Sequence, residues 1–181
     1  MDFDDFLAAN GRLLHLARGD HVFRQGDEDR TFYLLREGLL KAYYSSADGR
    51  ESVKSFIQPG EFIGSLTAVH EDNRCSFSLL CLEPVTLLQL EFRALYSASR
   101  QHLEIAGRLI DFLLGFAMKK ERREMEFLSL SAEERYRLLV ARSPELVGRL
   151  KQKDIAHYLG ITPVALSRIR ARGKPRGPGG A

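Results

Sequence analysis

Short apolar stretches separated by turn residues occupy the chain from residue 20 to about residue 92. Asp48-Gly49, Pro59-Gly60 and Glu83-Pro84 separate them at the spacing typical of hairpin loops. The pattern predicts strands at 21–24, 31–36, 39–44, 51–57, 77–82 and 85–90. Strands this short favour a small antiparallel sandwich or barrel, with a core that includes Phe23, Leu34, Val53, Phe56, Phe62, Leu79, Val85 and Leu87. Residues 1–19 are predicted to be short helix packed on this domain.

The pattern changes between residues 101 and 127, where it predicts one long helix. Residues 109–118, LIDFLLGFAM, are almost all apolar, and this predicts burial nearly all round because a surface helix shows only a stripe. One side is expected to lie on the β domain. The other is expected to meet a partner helix in a two-fold dimer, through Leu103, Ala106, Ile110, Leu113 and Ala117 at heptad-like spacing. The alternative is a core helix buried within one chain.

Ser131 and Glu134 match a capping box, which predicts a helix over 132–142 preceded by a hinge at 127–130. Two further short helices around a tight turn are predicted over 150–172. Gly160 suits the end of the first of these helices, and Thr162 and Pro163 suit the N-cap and first position of the second.

The outward face of the last helix is polar and cationic, because Leu166 and Ile169 face inward and leave outside Ser167, Arg168, Arg170 and Arg172. This is a helix-turn-helix pattern, and its outward face fits the major groove of DNA. The alternative is an αα-hairpin in a helical bundle.

The charge distribution favours an anionic partner at this end of the chain. The net charge is only +3, but residues 148–181 contain eight Lys or Arg and one Asp, a net of +7, and residues 1–147 carry −4. The last residues, 173–181 (GKPRGPGGA), are basic and rich in Gly and Pro, which predicts a disordered tail.

Several other functional classes lack their sequence signals. No apolar run has the length of a membrane span and the chain starts with the acidic MDFDD, so a cytoplasmic protein is expected. Two cysteines do not make a disulfide framework. Paired carboxylates, a nucleophile elbow and a Walker loop do not stand out, so neither an enzyme nor a metal site is predicted. A haem sensor needs an axial ligand, for which His21, His70 and His102 are candidates by residue type only, and ordinary surface or core histidines are the alternative.

Three motifs resemble those of the cyclic-AMP receptor protein/FNR (Crp/Fnr) family of bacterial transcription regulators. They are FYLLREG with DGRE at 32–38 and 48–51, PGEFIGS with RCS at 59–65 and 74–76, and ITPVALSRIR at 161–170. The resemblance implies an α+β protein with an N-terminal antiparallel β-roll of the cyclic-nucleotide-binding type (double-stranded and jelly-roll-like), a long dimerisation helix and a C-terminal helix-turn-helix domain. The expected segments are 1–99, 100–127, 128–172 and the basic tail, 173–181.

The resemblance also implies an effector pocket inside the roll, at Glu61, Phe62, Gly64, Ser65, Leu66, Arg74 and Cys75. In members that bind cyclic nucleotides, a helix N-terminus and an arginine hold the phosphate, and a glutamate takes the ribose hydroxyl. Ser65 stands where that glutamate belongs, and Cys75 where a Ser or Thr belongs. Losing one charged hydrogen bond costs roughly 1.5–3 kcal/mol, so we expect a small anionic or nucleotide-like effector other than cyclic AMP.

Arg74 has an alternative role, in which it ties down the roll through backbone carbonyls instead of holding an anion. An FNR-type iron–sulfur cluster is not expected, because it needs four thiolates and the chain has two cysteines.

For DNA, the resemblance implies contacts by Lys153, Thr162, Pro163, Val164, Ser167, Arg168 and Arg170. Arg168 matches the arginine that reads a base edge. Val164 replaces the family's glutamate and suits a thymine methyl group, so the preferred half-site is expected to differ from the common one. The implied partners are a palindromic double-stranded operator, a second copy of the chain and RNA polymerase. The basic tail is expected to make phosphate contacts that longer members make with a β-wing.

The first functional hypothesis is a dimeric transcription factor. In it, a ligand biases the roll against the long helix, the hinge turns, and two recognition helices reach major grooves ~34–36 Å apart. A constitutive DNA binder with a degenerate pocket is a variant of this hypothesis. The alternative is a ligand-sensing or protein-interaction module whose helix-turn-helix has lost DNA binding.

Overall fold

The computed structural model describes residues 1–70 and 73–172. They divide into two compact units, the first ending at Lys120 and the second beginning at Glu121. The predicted basic tail, 173–181, lies outside the described residues.

The first unit is built on two four-stranded antiparallel sheets within the described residues. Its elements are α1 (Phe3–Asn10), β1 (Arg12–Leu16), β2 (His21–Phe23), β3 (Thr31–Glu37), β4 (Leu40–Ser45), β5 (Glu51–Ile57), β6 (Phe62–Ile63), α2 (Leu66–His70), β7 (Ser78–Cys81), β8 (Val85–Glu91), α3 (Phe92–Ser99) and the first part of α4 (Leu103–Ser129). The strand orders are β1-β8-β3-β6 and β2-β7-β4-β5. This topology confirms the predicted antiparallel β-roll.

Strand β3 separates two apolar clusters. Tyr33 and Leu35 lie in the cluster between the sheets, and Phe32 and Leu34 lie in a cluster with the helices. Successive side chains of a strand point to opposite faces, so a strand buried on both sides reads as a continuous apolar run. The helical side is completed by Phe6, Leu7, Leu88, Leu90, Leu95, Ile105 and Leu109.

The short helix predicted within residues 1–19 is present only at its start, as α1. Helix α1 is followed by strand β1, which pairs antiparallel with β8. Leu14 and Leu16 pack on the inner cluster, whereas Leu13 is 64% exposed. The partly buried leucines are two residues apart, as in a strand, and a segment of five residues is too short to separate this period from a helical one.

Helix α4 has the predicted length, and within one chain it is buried on one side. Of its side chains only Ile105 and Leu109 are buried, and Ile110 is 56% exposed. The alternative of a core helix buried within one chain is therefore wrong, and the burial of the other side of α4 by a partner helix stays a prediction. Neither α4 nor any other described helix combines the length and apolar character needed to cross a membrane.

The second unit begins within α4 and continues with α5 (Ala132–Arg142), α6 (Pro144–Arg149), α7 (Gln152–Leu159) and α8 (Pro163–Arg172). The Ser131 hydroxyl accepts from the Glu134 N–H at 3.3 Å, and the Glu134 carboxylate accepts from the Ser131 N–H at 2.8 Å. This capping box confirms the predicted start of α5. Helix α6 was not predicted, because six residues carry too little periodic pattern.

Helices α7 and α8 confirm the predicted helix-turn-helix. Gly160 ends α7 in the left-handed conformation, with φ of 72°. The Thr162 hydroxyl accepts from the Ala165 N–H at 3.2 Å, as expected for an N-cap. Leu166 and Ile169 are buried, which leaves the cationic face of α8 outside.

Gly38, between β3 and β4, tests how closely this turn packs on the segment at Pro84. Its φ is 96°, and a Cβ there would lie 2.3 Å from the carbonyl oxygen of Pro84. Because Gly38→Ala forces left-handed backbone and pushes on another segment, we expect it to lower the free energy of unfolding by about 2–4 kcal/mol in urea titrations. Gly115→Ala, at a helical position with open space, is the control and is expected to be neutral or slightly stabilising. Equal losses for both variants would contradict the prediction.

Candidate effector pocket and nucleic-acid interface

The predicted pocket residues lie in two segments: one runs from the turn before β6 to the start of α2, and the other is the loop before β7. Gly64 and Ser65 connect β6 to α2, and both are buried. Gly64 packs under Phe32, because a Cβ on Gly64 would lie 2.1 Å from Phe32 Cδ1. Phe62 and Leu66 pack on the helical cluster. The segment thus places two of the predicted pocket side chains on the outer side of the roll, against the helices.

Ser65 joins this segment to the loop before β7. It is 1% exposed, and its hydroxyl oxygen accepts from the Ser76 N–H at 3.1 Å and lies 3.0 Å from Thr67 Oγ1. The Thr67 hydroxyl in turn donates to the Arg74 carbonyl oxygen at 3.2 Å. The Ser76 N–H, in the loop where the resemblance implies a phosphate site, is therefore already paired within the protein.

Cys75 is buried in the same loop and fixes its course. Its N–H donates to the Asp27 carbonyl oxygen at 2.8 Å, and its carbonyl oxygen accepts from the Gly26 N–H at 2.8 Å. The thiol faces the Asp29 carbonyl oxygen at 3.9 Å. Burial raises the pKa of the Cys75 thiol to about 11, so the group is a neutral, weak donor at neutral pH.

Arg74 turns to the loop after β2. Its Nη1 donates to the Gly26 carbonyl oxygen at 2.9 Å, and its Nη2 lies 3.3 Å from Glu28 Oε1. This is the geometry of an arginine that ties down the roll through a backbone carbonyl. Both side chains of the ion pair are mostly exposed, and such pairs contribute only about 0–1 kcal/mol. An incoming anion would therefore displace Glu28 at small cost.

Aromatic side chains fill the space between the sheets. The ring of Phe23 lies 6.1 Å from that of Tyr33 and 5.2 Å from that of Phe77, between centroids. The Tyr33 hydroxyl donates to Asp29 Oδ2 at 2.6 Å, and burial together with this hydrogen bond raises the pKa of Tyr33. Sequence reasoning missed the Tyr33–Asp29 pair, because a tyrosine in an apolar strand carries no signal of its partner. A nucleotide base would have to open this aromatic cluster to enter.

Glu61, the first predicted pocket residue, makes its contacts outside the roll interior. Its Oε2 accepts from the Gln58 N–H at 2.7 Å, and its Oε1 accepts from Lys119 Nζ at 2.8 Å. Lys119 belongs to α4. The carboxylate therefore joins the turn before β6 to α4, a link that no local sequence pattern indicates.

The second candidate site is the outward face of α8. Val164 is 61% exposed, and Ser167, Arg168 and Arg170 are exposed on the same helix. Within the described residues no ion pair involves Arg168 or Arg170, whereas Arg172 Nη2 lies 3.2 Å from Glu133 Oε2. The other predicted DNA contacts are also exposed, namely Lys153, Thr162 and Pro163. The face combines uncompensated positive charge with one apolar side chain.

The predicted dimerisation residues share one side of α4, as their heptad-like spacing requires. Leu103 is 93% exposed, Leu113 and Ala117 are exposed, and Ala106 is half-buried. Sequence reasoning did not single out the adjacent exposed side chains of Leu114 and Met118.

Comparisons with known proteins agree with this architecture. The family model "Cyclic nucleotide-binding domain" matches residues 13–102. The nitrogen fixation regulation protein FixK of Bradyrhizobium diazoefficiens is 28% identical over 87% of this chain and 70% of its own length. The transcriptional activator protein Anr of Pseudomonas protegens is 28% identical over 95% of this chain and 73% of its own length.

Among solved structures, FixK2 of Bradyrhizobium japonicum has a TM-score of 0.78 at 18% identity, over 94% of this chain and 89% of that one. The domain match falls on the β-roll, and the aligned regulators extend over most of the chain. The chain contains a cyclic nucleotide-binding domain and is similar over most of its length to transcriptional regulators of the Crp/Fnr type.

Proposed function

We propose that the chain acts as a homodimer that binds a palindromic DNA operator through α8 and does not use cyclic AMP as its effector. The observation that carries the proposal is the outward face of α8, where Arg168 and Arg170 are exposed and have no ion pair within the described residues. Regulators of this family bind DNA and typically act as dimers. Operator binding implies action in the cytoplasm, with RNA polymerase as a further partner.

The chemistry of the α8 face divides its residues into two groups. Val164 and Arg168 are one turn apart and lie on the same side of the helix. We assign Arg168 to a guanine edge and Val164 to a thymine methyl group. The remaining polar side chains, which have no base-specific geometry, are assigned to phosphates: Lys153, Thr162, Ser167 and Arg170. Pro163 starts the helix and fixes the approach of its N-terminus.

The polar groups of the pocket segment support an effector other than cyclic AMP. Ser65 cannot replace a glutamate toward a ribose hydroxyl while it holds the Ser76 N–H. The loss of that charged hydrogen bond corresponds to about 10- to 150-fold in affinity. Arg74 stays available to a small anion, since its ion pair with Glu28 is exposed. A constitutive DNA binder is the second candidate, favoured by the aromatic filling of the roll by Phe23 and Phe77.

The exposed apolar side of α4 supports the dimer. Leu103, Ile110, Leu113, Leu114 and Met118 are exposed large apolar side chains on one helix. A contiguous stripe of this kind is unfavourable in water, and a second copy of the same helix covers it with two-fold symmetry.

A charge placed on this stripe tests the dimer. We expect Ile110→Glu to convert the protein to a monomer in sedimentation velocity at micromolar concentration, because two carboxylates would face each other in an apolar interface. Leu13→Glu, at an exposed leucine of β1, is the control and should sediment like the wild type. A dimer that persists in Ile110→Glu would place the interface elsewhere.

Two arginines on α8 distinguish base reading from phosphate contact. Arg168→Ala is expected to cost about 1–3 kcal/mol of specific binding and to relax one base position of the operator. Arg170→Ala is expected to weaken binding to all sequences and to lower the salt slope by about one. Fluorescence anisotropy over a set of operator variants and salt concentrations measures both effects. Uniform loss in Arg168→Ala would make it a phosphate contact.

Selection of DNA from a random pool tests the whole proposal. The purified protein is expected to recover a palindromic site equally with no nucleotide, with cyclic AMP and with cyclic GMP. Recovery only with a cyclic nucleotide would show that Ser65 leaves the pocket functional. Absence of enrichment in every condition would contradict DNA binding and favour an interaction module.

A further inference from the structure

The last turns of α4, from residue 121 to 129, belong to the second unit. Their side chains reach the end of α7 rather than solvent alone. Arg123 contacts Tyr158 and Phe127 contacts Gly160, the residue at which α7 stops. The residues predicted as a hinge, 127–130, are helical through Ser129. This part of α4 is therefore joined to the helix-turn-helix by contacts as well as by the chain.

Arg123 holds the end of α7 in two ways. Its guanidinium carbon lies 4.0 Å from the ring centroid of Tyr158, and its Nη2 donates to the Tyr158 carbonyl oxygen at 2.9 Å. The last carbonyls of a helix have no partner within the helix. The Gly160 and Ile161 N–H groups bond to carbonyls earlier in α7, so the Tyr158 carbonyl needs a donor from another element, and Arg123 provides it.

Arg135 does the same for the next carbonyl. Its Nη2 donates to the Leu159 carbonyl oxygen at 3.0 Å, and its Nη1 donates to the Leu130 carbonyl oxygen at 2.5 Å. Its guanidinium carbon lies 4.4 Å from the Phe127 ring centroid, and that of Arg123 lies 4.9 Å from the same centroid. Phe127 thus contacts both guanidinium groups, which bind consecutive carbonyls of α7.

The Phe127 ring also meets the turn of the helix-turn-helix. A Cβ on Gly160 would lie 2.9 Å from Phe127 Cε1. The Phe127 ring therefore packs against the turn, and two guanidinium groups bind the carbonyl oxygens of the residues just before it. Recognition helix α8 starts three residues after Gly160, so its direction depends on this turn.

We propose that Arg123, Arg135 and Phe127 are positioning residues for DNA reading, which fix the turn between α7 and α8 to the last turns of α4. The proposal rests on the proposed function of α8. It puts the flexible point of α4 before Arg123 and not at 127–130, so that residues 121–129 and the helix-turn-helix move together. A ligand signal that turns this part of α4 would then turn the recognition helix directly.

Hydrogen exchange of the full chain tests the contacts without reference to DNA. In Arg123→Gln, the amides of 156–161 are expected to exchange roughly 10- to 100-fold faster, because a partly buried cationic hydrogen bond and a ring contact are lost. Amides of 103–115 should not change. Arg122→Gln, an exposed neighbour on the same helix, is the control and should match the wild type. Arg123→Lys should restore only part of the protection, since an ammonium lacks the planar group that stacks and donates together.

Unchanged exchange at 156–161 in both Arg123 variants would overturn the proposal. If Arg123→Gln unfolds the second unit, Arg123→Lys gives the comparison in a folded protein, and full protection in that variant would likewise overturn the stacking role.

DNA binding separates positioning from direct contact. Arg123→Gln is expected to lower affinity for the selected operator about tenfold while leaving the slope of log K against log salt unchanged, because Arg123 meets carbonyls and rings rather than phosphates. A slope reduced by about one, as expected for Arg170→Ala, would make Arg123 a phosphate contact and overturn its positioning role. A wild-type chain that binds no DNA would overturn the proposed function, an outcome distinct from unchanged exchange.

Discussion

Strand β3 has apolar neighbours on both of its faces, and the first unit is arranged around this constraint. Phe32 and Leu34 pack on the helical side, and Tyr33 and Leu35 fill the space between the sheets. The Phe32 ring lies 5.5 Å from that of Phe112 on α4. Tyr33 and Phe32 are consecutive residues of one strand, so the packing between the sheets and the packing against α4 share one backbone. In a close-packed interior the two cannot be altered independently.

In the predicted pocket segment, polar groups form hydrogen bonds with one another. Polar groups that would serve a phosphate and a ribose are paired with each other, as in the contact of Ser65 with the Ser76 N–H. Cys75 contributes a neutral thiol and a backbone that fixes the loop after β2. The Arg74 guanidinium pairs with Glu28, and both side chains are mostly exposed. The effector that we propose is accordingly a small anion that replaces Glu28 at the surface of the roll.

The arginines of the second unit serve two different purposes. Arg123 and Arg135 use their planar groups to bind carbonyls and rings at the end of α7. Arg168 and Arg170 remain exposed on α8. Net charge counts all four residues alike, but only the exposed pair is placed to contact a phosphate backbone. The half-buried pair binds the end of α7, just before the turn that leads to α8.

The sequence alone determined the features that rest on contacts within a few residues. The capping box at Ser131, the N-cap at Thr162 and the turn at Gly160 are local hydrogen-bond patterns, and the structure has all of them. Strands β2 to β5, β7 and β8 were predicted for the same reason, since period and turn residues are short-range signals, whereas the two-residue strand β6 was not predicted. In segment 1–19 strand β1 was missed, because five residues do not distinguish a strand from a helix.

Tertiary structure alone decided what the long charged side chains do. Arg74 bonds to a carbonyl 48 residues away, Lys119 to a carboxylate 58 residues away, and Arg123 to a carbonyl 35 residues away. A flexible side chain has many partners within reach, and only the folded backbone selects among them. The same reason explains α4, whose apolar sequence predicted burial while the fold of one chain covers a single stripe. The sequence thus determined the elements and the motif, and the packing of distant segments determined which groups remain free to bind.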